Sequence, residues 1–135
     1  MGLTESIAQA LATFEGYFKS GTVADRNNNP GNLRAGVGQI GTDANGYAIF
    51  ASPDDGWNAL YNQINLDISR GLSLQQFIYK YAPPSDNNPT SNYLNFVASR
   101  TGLPTDVPLS DLAGASPPAD ASAMDPSPGP KSSPT

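Results

Sequence analysis

Glu15 is the residue of this sequence that best fits general acid chemistry. The chain has two glutamates, and it has no cysteine and no histidine. Ser-His-Asp triads, Cys-His pairs and the usual zinc sites are therefore excluded, so acid–base chemistry must use carboxylates, tyrosines or lysines. Glu5 falls in the first turn of a predicted helix, where its charge complements the helix dipole. Glu15 falls near the opposite end, between Phe14 and Phe18, where an apolar setting and an unfavourable dipole both favour the protonated form. The alternative is an exposed helix glutamate paired with Lys19 at i+4.

The loop that follows this helix is rich in asparagine, from Asp25 to Arg34. Its Asn-Pro-Gly sequence at 29–31 predicts a tight turn. Amide side chains beside aromatic rings suit the hydroxyls, acetamides and apolar ring faces of a sugar chain, and an arginine can bind a carboxylate. The candidate substrate-binding residues are Asn29, Asn32, Arg34, Tyr47, Tyr81 and Tyr93. The tyrosines fit equally well as core residues whose hydroxyl groups reach solvent.

A second catalytic carboxylate is less clearly indicated. Asp25 is the candidate nearest to Glu15 in sequence, and Asp43 lies in a predicted hairpin turn, but no motif distinguishes either of them. The Asp54-Asp55 pair fits capping of a helix N-terminus better than it fits metal binding. We therefore expect neither a metal nor a cofactor.

The first helix must position Glu15. Thr4 is a candidate N-cap for a helix that runs to about Lys19. One face of that helix carries apolar residues at helical spacing, which predicts a buried stripe made of Leu3, Ile7, Leu11, Phe14 and Phe18.

A small hairpin and further helices follow the loop. The Asn45-Gly46 turn between short β-prone segments predicts one β-hairpin. Capping residues and prolines predict three helices that begin at Ser52, Ser73 and Pro89 and end near Gly71, Pro83 and Gly102. A last turn is expected around Leu109 and Leu112. The predicted fold class is mainly α (α+β), a helical domain with one small β-hairpin.

Composition sets the domain boundaries and excludes several partners. We assign residues 1–112 to one folded domain and residues 113–135 to a disordered Pro-rich tail, since its Gly, Ala, Ser, Pro and Asp residues cannot bury enough apolar area. A net charge of −5 argues against nucleic-acid binding through a basic face. No apolar run is long enough to span a bilayer, and no signal peptide is visible.

Several segments together carry a resemblance to a known family. They are IAQALATFEG at 7–16, NNPGNL at 28–33, FASPDDGW at 50–57 and KYAPP at 80–84, followed by Asn88-Pro89 and Tyr93. Over about residues 3 to 103 the sequence resembles the small peptidoglycan-cleaving domains of phage and bacterial origin. These have a lysozyme-like fold and are similar in fold to soluble lytic transglycosylases and goose-type lysozymes.

The resemblance implies that Glu15 protonates the glycosidic oxygen between N-acetylmuramic acid and N-acetylglucosamine. It slightly favours a lytic transglycosylase, in which the sugar's own 6-hydroxyl attacks and Glu15 acts first as acid and then as base, over a hydrolytic muramidase. The alternative is a non-catalytic cell-wall-binding or virion structural module of the same fold. The expected partner is the peptidoglycan glycan strand. The protein would act on the bacterial wall from the periplasm, the outside or a virion, as a monomer or within a larger assembly.

Overall fold

The structure is a computed structural model that describes residues 2–86 and 89–114. The elements in chain order are α1 (Leu3–Phe14), α2 (Val23–Arg26), β1 (Gly41–Thr42), β2 (Ala48–Ile49), α3 (Pro53–Ser69), α4 (Leu74–Tyr81), a 3-10 helix (Pro84–Asp86), α5 (Thr90–Thr101) and α6 (Leu109–Gly114). The described part is mainly helical with one two-stranded antiparallel sheet, so the predicted fold class is confirmed. The predicted disordered tail begins at residue 113, and residues 115–135 lie outside the described residues.

Helix α1 ends earlier than its sequence pattern predicts. Its last residue is Phe14, whereas the apolar spacing extends the helix to about Lys19. Gly16 has a φ of +80°, and left-handed backbone at a glycine is a common way for a helix to end. Because the helix stops there, Phe18 leaves the predicted buried stripe and is 58% exposed.

The capping predictions hold for two helices and fail for α1. Ser52 Oγ accepts a hydrogen bond from the backbone N–H of Asp55 at 3.2 Å, which begins α3. Ser73 and Gln76 form a reciprocal capping box at the start of α4. Thr4 does not cap α1 and lies inside its first turn. Helix α2 is absent from the prediction because four residues are too few to show helical periodicity.

The core lies between the long helices. Helix α1 packs against α3 and α5, and α4 packs against α5. Large, fully buried side chains from these helices include Ile7, Leu11, Leu60, Ile64, Phe77, Ile78, Tyr93 and Val97. Leu109 of α6 is also fully buried, as expected for the last turn. This packing brings the C-terminus of α1 against α5.

The asparagine-rich loop is anchored along one edge of the small sheet. Strand β1 pairs with β2 on one side, which confirms the hairpin. On the other side, the Phe50 N–H donates to the carbonyl of Asn27 and the Ala48 N–H donates to the carbonyl of Leu33, each at 2.9 Å. Residues 27–33 are therefore held in place by backbone hydrogen bonds at both ends.

Two glycines let the helices approach this loop closely. A Cβ atom at Gly56 would collide with the carbonyl oxygen of Asn28. A Cβ atom at Gly31 would collide with the Tyr81 hydroxyl and with Leu60. Only hydrogen fits at either position, so the loop is clamped between α3 and α4.

Candidate active site

Glu15 is the C-cap residue of α1. Its backbone has a φ of −77° and a ψ of −5°, and its N–H donates to the carbonyl of Leu11 at 2.9 Å. The C-terminus of a helix carries partial negative charge, which disfavours a carboxylate. The residue is partly exposed, so solvent or a ligand can reach it.

Two neutral donors hold the carboxyl group of Glu15. The Tyr93 hydroxyl donates to Oε2 at 2.7 Å, and Asn32 Nδ2 donates to Oε1 at 3.1 Å. Burial raises the pKa of Glu15, and the two hydrogen bonds, which favour the ionised form, lower it by less. An ion pair with Lys19 is not found among the described residues. The carboxyl group therefore keeps its proton to a higher pH than an exposed glutamate does.

The ring of Tyr93 lies between two other aromatic rings. It stacks on Phe14, with centroids 4.0 Å apart, and meets Tyr81 edge to face at 6.3 Å. Tyr93 is only 1% exposed, because α5 turns it into the core, so its burial supports the predicted alternative of a core tyrosine over stacking on a sugar. Burial raises the pKa of Tyr93 well above its usual value of 10, so its hydroxyl stays a donor at neutral pH.

Asn29 is fully buried and holds the loop together. Its Nδ2 donates to the carbonyls of Leu33 and Ala48, and its Oδ1 accepts from the Leu33 N–H, all at 2.9 Å. The prediction that Asn29 contacts a substrate is therefore wrong, because the amide is inaccessible and its polar atoms are engaged within the protein.

Asn32 faces Glu15 from the end of the same loop. Its φ of +49° is a left-handed conformation that asparagine tolerates. Asn32 Oδ1 is buried and has no hydrogen-bond partner within the described residues. The amide can serve both states of the carboxyl group: Nδ2 donates to the carboxylate, and a rotation of about 180° would let Oδ1 accept from the protonated acid.

The sequence is similar to a phage protein. Protein P5 of Pseudoalteromonas phage PM2 is 31% identical to the chain over 121 residues, which cover 82% of this chain and 75% of P5. The chain belongs to the P5 family. No family model matches the sequence, and no solved structure matches it significantly.

In this member of the P5 family, two predicted substrate-binding residues lie together on the hairpin. The guanidinium carbon of Arg34 lies 4.6 Å from the ring centroid of Tyr47, and Arg34 Nη1 donates to the carbonyl of Asn45 at 3.0 Å. Arg34 is exposed and Tyr47 is partly exposed, so both can be reached from solvent. Their contact with a substrate remains a prediction. No described hydrogen bond links either of them to Glu15.

Tyr81 fastens the loop from α4. Its hydroxyl donates to the carbonyl of Gly31, and its ring packs against Phe77 at 5.4 Å. Burial raises the pKa of Tyr81 well above 10, so the hydroxyl stays protonated. The residue retains some exposure, and its contact with a sugar also remains a prediction.

Neither candidate for a second carboxylate is hydrogen-bonded to Glu15 in the described structure. Asp43 accepts from Asn27 Nδ2 at 2.9 Å and from backbone N–H groups of the hairpin turn. These hydrogen bonds lower the pKa of Asp43, and the one from Asn27 has the largest effect. Asp25 is exposed and accepts from the Gly21 N–H at 2.9 Å. Both carboxylates are thus engaged in local turns of this P5-family fold.

Residues 2–86 and 89–114 lack two further kinds of feature. They contain no group of three or more side chains that could hold a metal ion. Within the same residues, no helix combines the length and the apolar character that a membrane crossing requires.

Sequence reasoning missed the partnership between Tyr93 and Glu15. The two residues are 78 positions apart, and only the packing of α1 on α5 brings them together. The available signal was that Tyr93 and Val97 share the inward face of α5. A buried tyrosine hydroxyl needs a hydrogen-bond partner, and a carboxylate near the end of a packed helix is a good acceptor.

Proposed function

We propose that this P5-family protein cleaves the β-1,4 bond between N-acetylmuramic acid and N-acetylglucosamine in peptidoglycan, with Glu15 as the general acid. The observation that carries the proposal is the setting of Glu15. The residue is partly exposed, burial raises the pKa of its carboxyl group, and two neutral side chains orient that group. A raised pKa is what a carboxylic acid needs to donate a proton near neutral pH.

In the proposed reaction, Glu15 gives its proton to the glycosidic oxygen as the C1–O bond breaks, and this leaves a carboxylate. The 6-hydroxyl of the same N-acetylmuramic acid attacks C1, and its proton passes to Glu15. The acid is thereby restored and a 1,6-anhydro ring is formed. Tyr93 and Asn32 stabilise the carboxylate between the two steps through the hydrogen bonds that they already donate.

The anhydro-forming route is favoured over hydrolysis because it needs only one carboxylate. An inverting or retaining hydrolase uses a second carboxyl group as base or nucleophile. Asp43 is tied into the hairpin turn with a lowered pKa, and Asp25 is exposed in a turn after α1. Both side chains are engaged in local turns, which favours single-glutamate chemistry.

The test is the release of soluble fragments from purified peptidoglycan by wild type, Glu15→Gln and Glu5→Gln. Glu5 is the matched control, since it is the other glutamate of the chain and lies in the first turn of α1. We expect Glu15→Gln to abolish release and Glu5→Gln to retain it. Mass spectrometry of the fragments then separates 1,6-anhydro ends from reducing ends. Equal release by wild type and Glu15→Gln contradicts the assignment of Glu15.

A second candidate is a non-catalytic wall-binding or virion module of the same lysozyme-like fold. It is favoured by one observation: both oxygens of Glu15 already accept hydrogen bonds from within the chain, as in a structural network. This candidate predicts that wild type binds insoluble wall without releasing fragments. The similarity to a phage protein is compatible with association with a virion in either case.

A further inference from the structure

The exposed face of α5 carries a row of amide, hydroxyl, aromatic and basic side chains. They line an open depression of about 600 Å³ and are Asn92, Asn95, Phe96, Ser99 and Arg100. Their spacing of three and four residues places them on one side of the helix.

This depression is connected to Glu15 by ring contacts. The Phe96 ring lies 5.4 Å from the Phe14 ring, and Phe14 stacks on Tyr93 at 4.0 Å. The Tyr93 hydroxyl then donates to Glu15. Phe96 of the depression therefore packs on the same aromatic cluster that holds Tyr93 beside Glu15.

The depression presents a positive charge beside an aromatic ring. The Arg100 guanidinium carbon lies 5.5 Å from the Phe96 ring centroid, so a cation and an aromatic surface are presented side by side. Among the described residues, no salt bridge engages Arg100. Asn95 is exposed beside them and offers both a donor and an acceptor. The arrangement suits a ligand with an apolar ring face, an amide and a carboxylate.

We propose that this face of α5 is an additional glycan subsite for an N-acetylated sugar that bears a carboxylate. Arg100 pairs with the carboxylate, Phe96 contacts the ring face, and Asn95 bonds the acetamide. The proposal rests on the glycan substrate proposed above, and it adds a charge requirement at a position away from the bond that is cleaved.

The test compares two soluble probes of equal length in the Glu15→Gln background, which prevents turnover. One is the tetrasaccharide of alternating N-acetylglucosamine and N-acetylmuramic acid, and the other is chitotetraose, which lacks carboxylates. Adding Arg100→Ala should raise the Kd of the first probe about five-fold, equal to about 1 kcal/mol, and change the second less than two-fold. Asn62→Ala, at an exposed asparagine of α3, should change neither.

The outcomes separate this proposal from the proposed function. If wild type cleaves peptidoglycan and Arg100→Ala leaves both affinities unchanged, the subsite is refuted and the function stands. If Arg100→Ala weakens both probes equally, the carboxylate requirement is refuted. If wild type releases no fragments and neither probe binds, both the subsite and the proposed function are refuted.

Discussion

Removing the Tyr93 hydroxyl should loosen the hold on ionised Glu15 and leave the aromatic packing in place. Tyr93→Phe keeps the ring that stacks on Phe14 and deletes the donor that lies 2.7 Å from Glu15 Oε2. Because that hydrogen bond favours the carboxylate, its loss raises the pKa of Glu15 further. The acid then stays protonated to higher pH, and we expect the alkaline limb of the kcat/KM profile to move to higher pH.

The effect on stability depends on pH for the same reason. A hydrogen bond to a charged group contributes about 1.5–3 kcal/mol and one between neutral groups about 0.5–1.5 kcal/mol. Water can replace part of the lost bond because Glu15 is partly exposed, so the lower part of each range applies. We expect a loss of about 1–2 kcal/mol at pH 8 and less than about 1 kcal/mol at pH 4. For a domain near 100 residues, a difference of about 1 kcal/mol corresponds to about 4–8 °C in Tm.

Thermal unfolding at the two pH values and a pH–rate profile on peptidoglycan measure these effects. Tyr81→Phe is the matched control, since its hydroxyl donates to the Gly31 carbonyl rather than to Glu15. Its Tm loss should be the same at pH 4 and pH 8. The reasoning is refuted if Tyr93→Phe loses as much stability at pH 4 as at pH 8, or if its alkaline limb moves to lower pH.

Three further variants test other parts of the site. The pKa of Glu15 is raised in the folded state, so wild type loses stability as the pH rises from 4.5 through that folded pKa. Glu15→Gln should therefore match the wild-type Tm at pH 4 and exceed it at pH 8. A Tm of Glu15→Gln below that of wild type at pH 8 contradicts this. Gly56→Ala drives a methyl group into the Asn28 carbonyl and should cost about 1–3 kcal/mol in urea unfolding. Asn29→Ala removes three buried hydrogen bonds and should cost about 2–4 kcal/mol, whereas exposed Asn62→Ala should cost almost nothing.

Local signals predicted the helices and the hairpin well. Ser52 and Ser73 cap α3 and α4, because each side-chain oxygen accepts a hydrogen bond from the backbone N–H three residues later. This interaction is local, so it does not depend on the rest of the fold. The end of α1 was predicted wrongly because Phe18 continues the apolar spacing. Gly16 turns the chain before Phe18 is reached, and periodicity alone does not register that turn.

The site was predicted less completely than the elements. Asn29 and Asn32 have the same side chain three positions apart, and sequence reasoning gave them one role. The structure separates them because Asn29 points into the sheet edge and Asn32, with a positive φ, points at Glu15. Which way a loop amide faces depends on backbone angles that are set by contacts with distant strands and helices.

The sequence by itself limits any acid–base chemistry of this protein to carboxylates, tyrosines and lysines, because cysteine and histidine are absent. It also makes Glu15 the leading candidate for a general acid, through its position near the end of an amphipathic helix. Only the tertiary structure decided how Glu15 is held. The packing of α1 on α5 brings in Tyr93, and the clamped loop brings in Asn32. The physical reason is that a pKa and a hydrogen-bond partner depend on groups that are close in space, and these groups come from three separate parts of the chain.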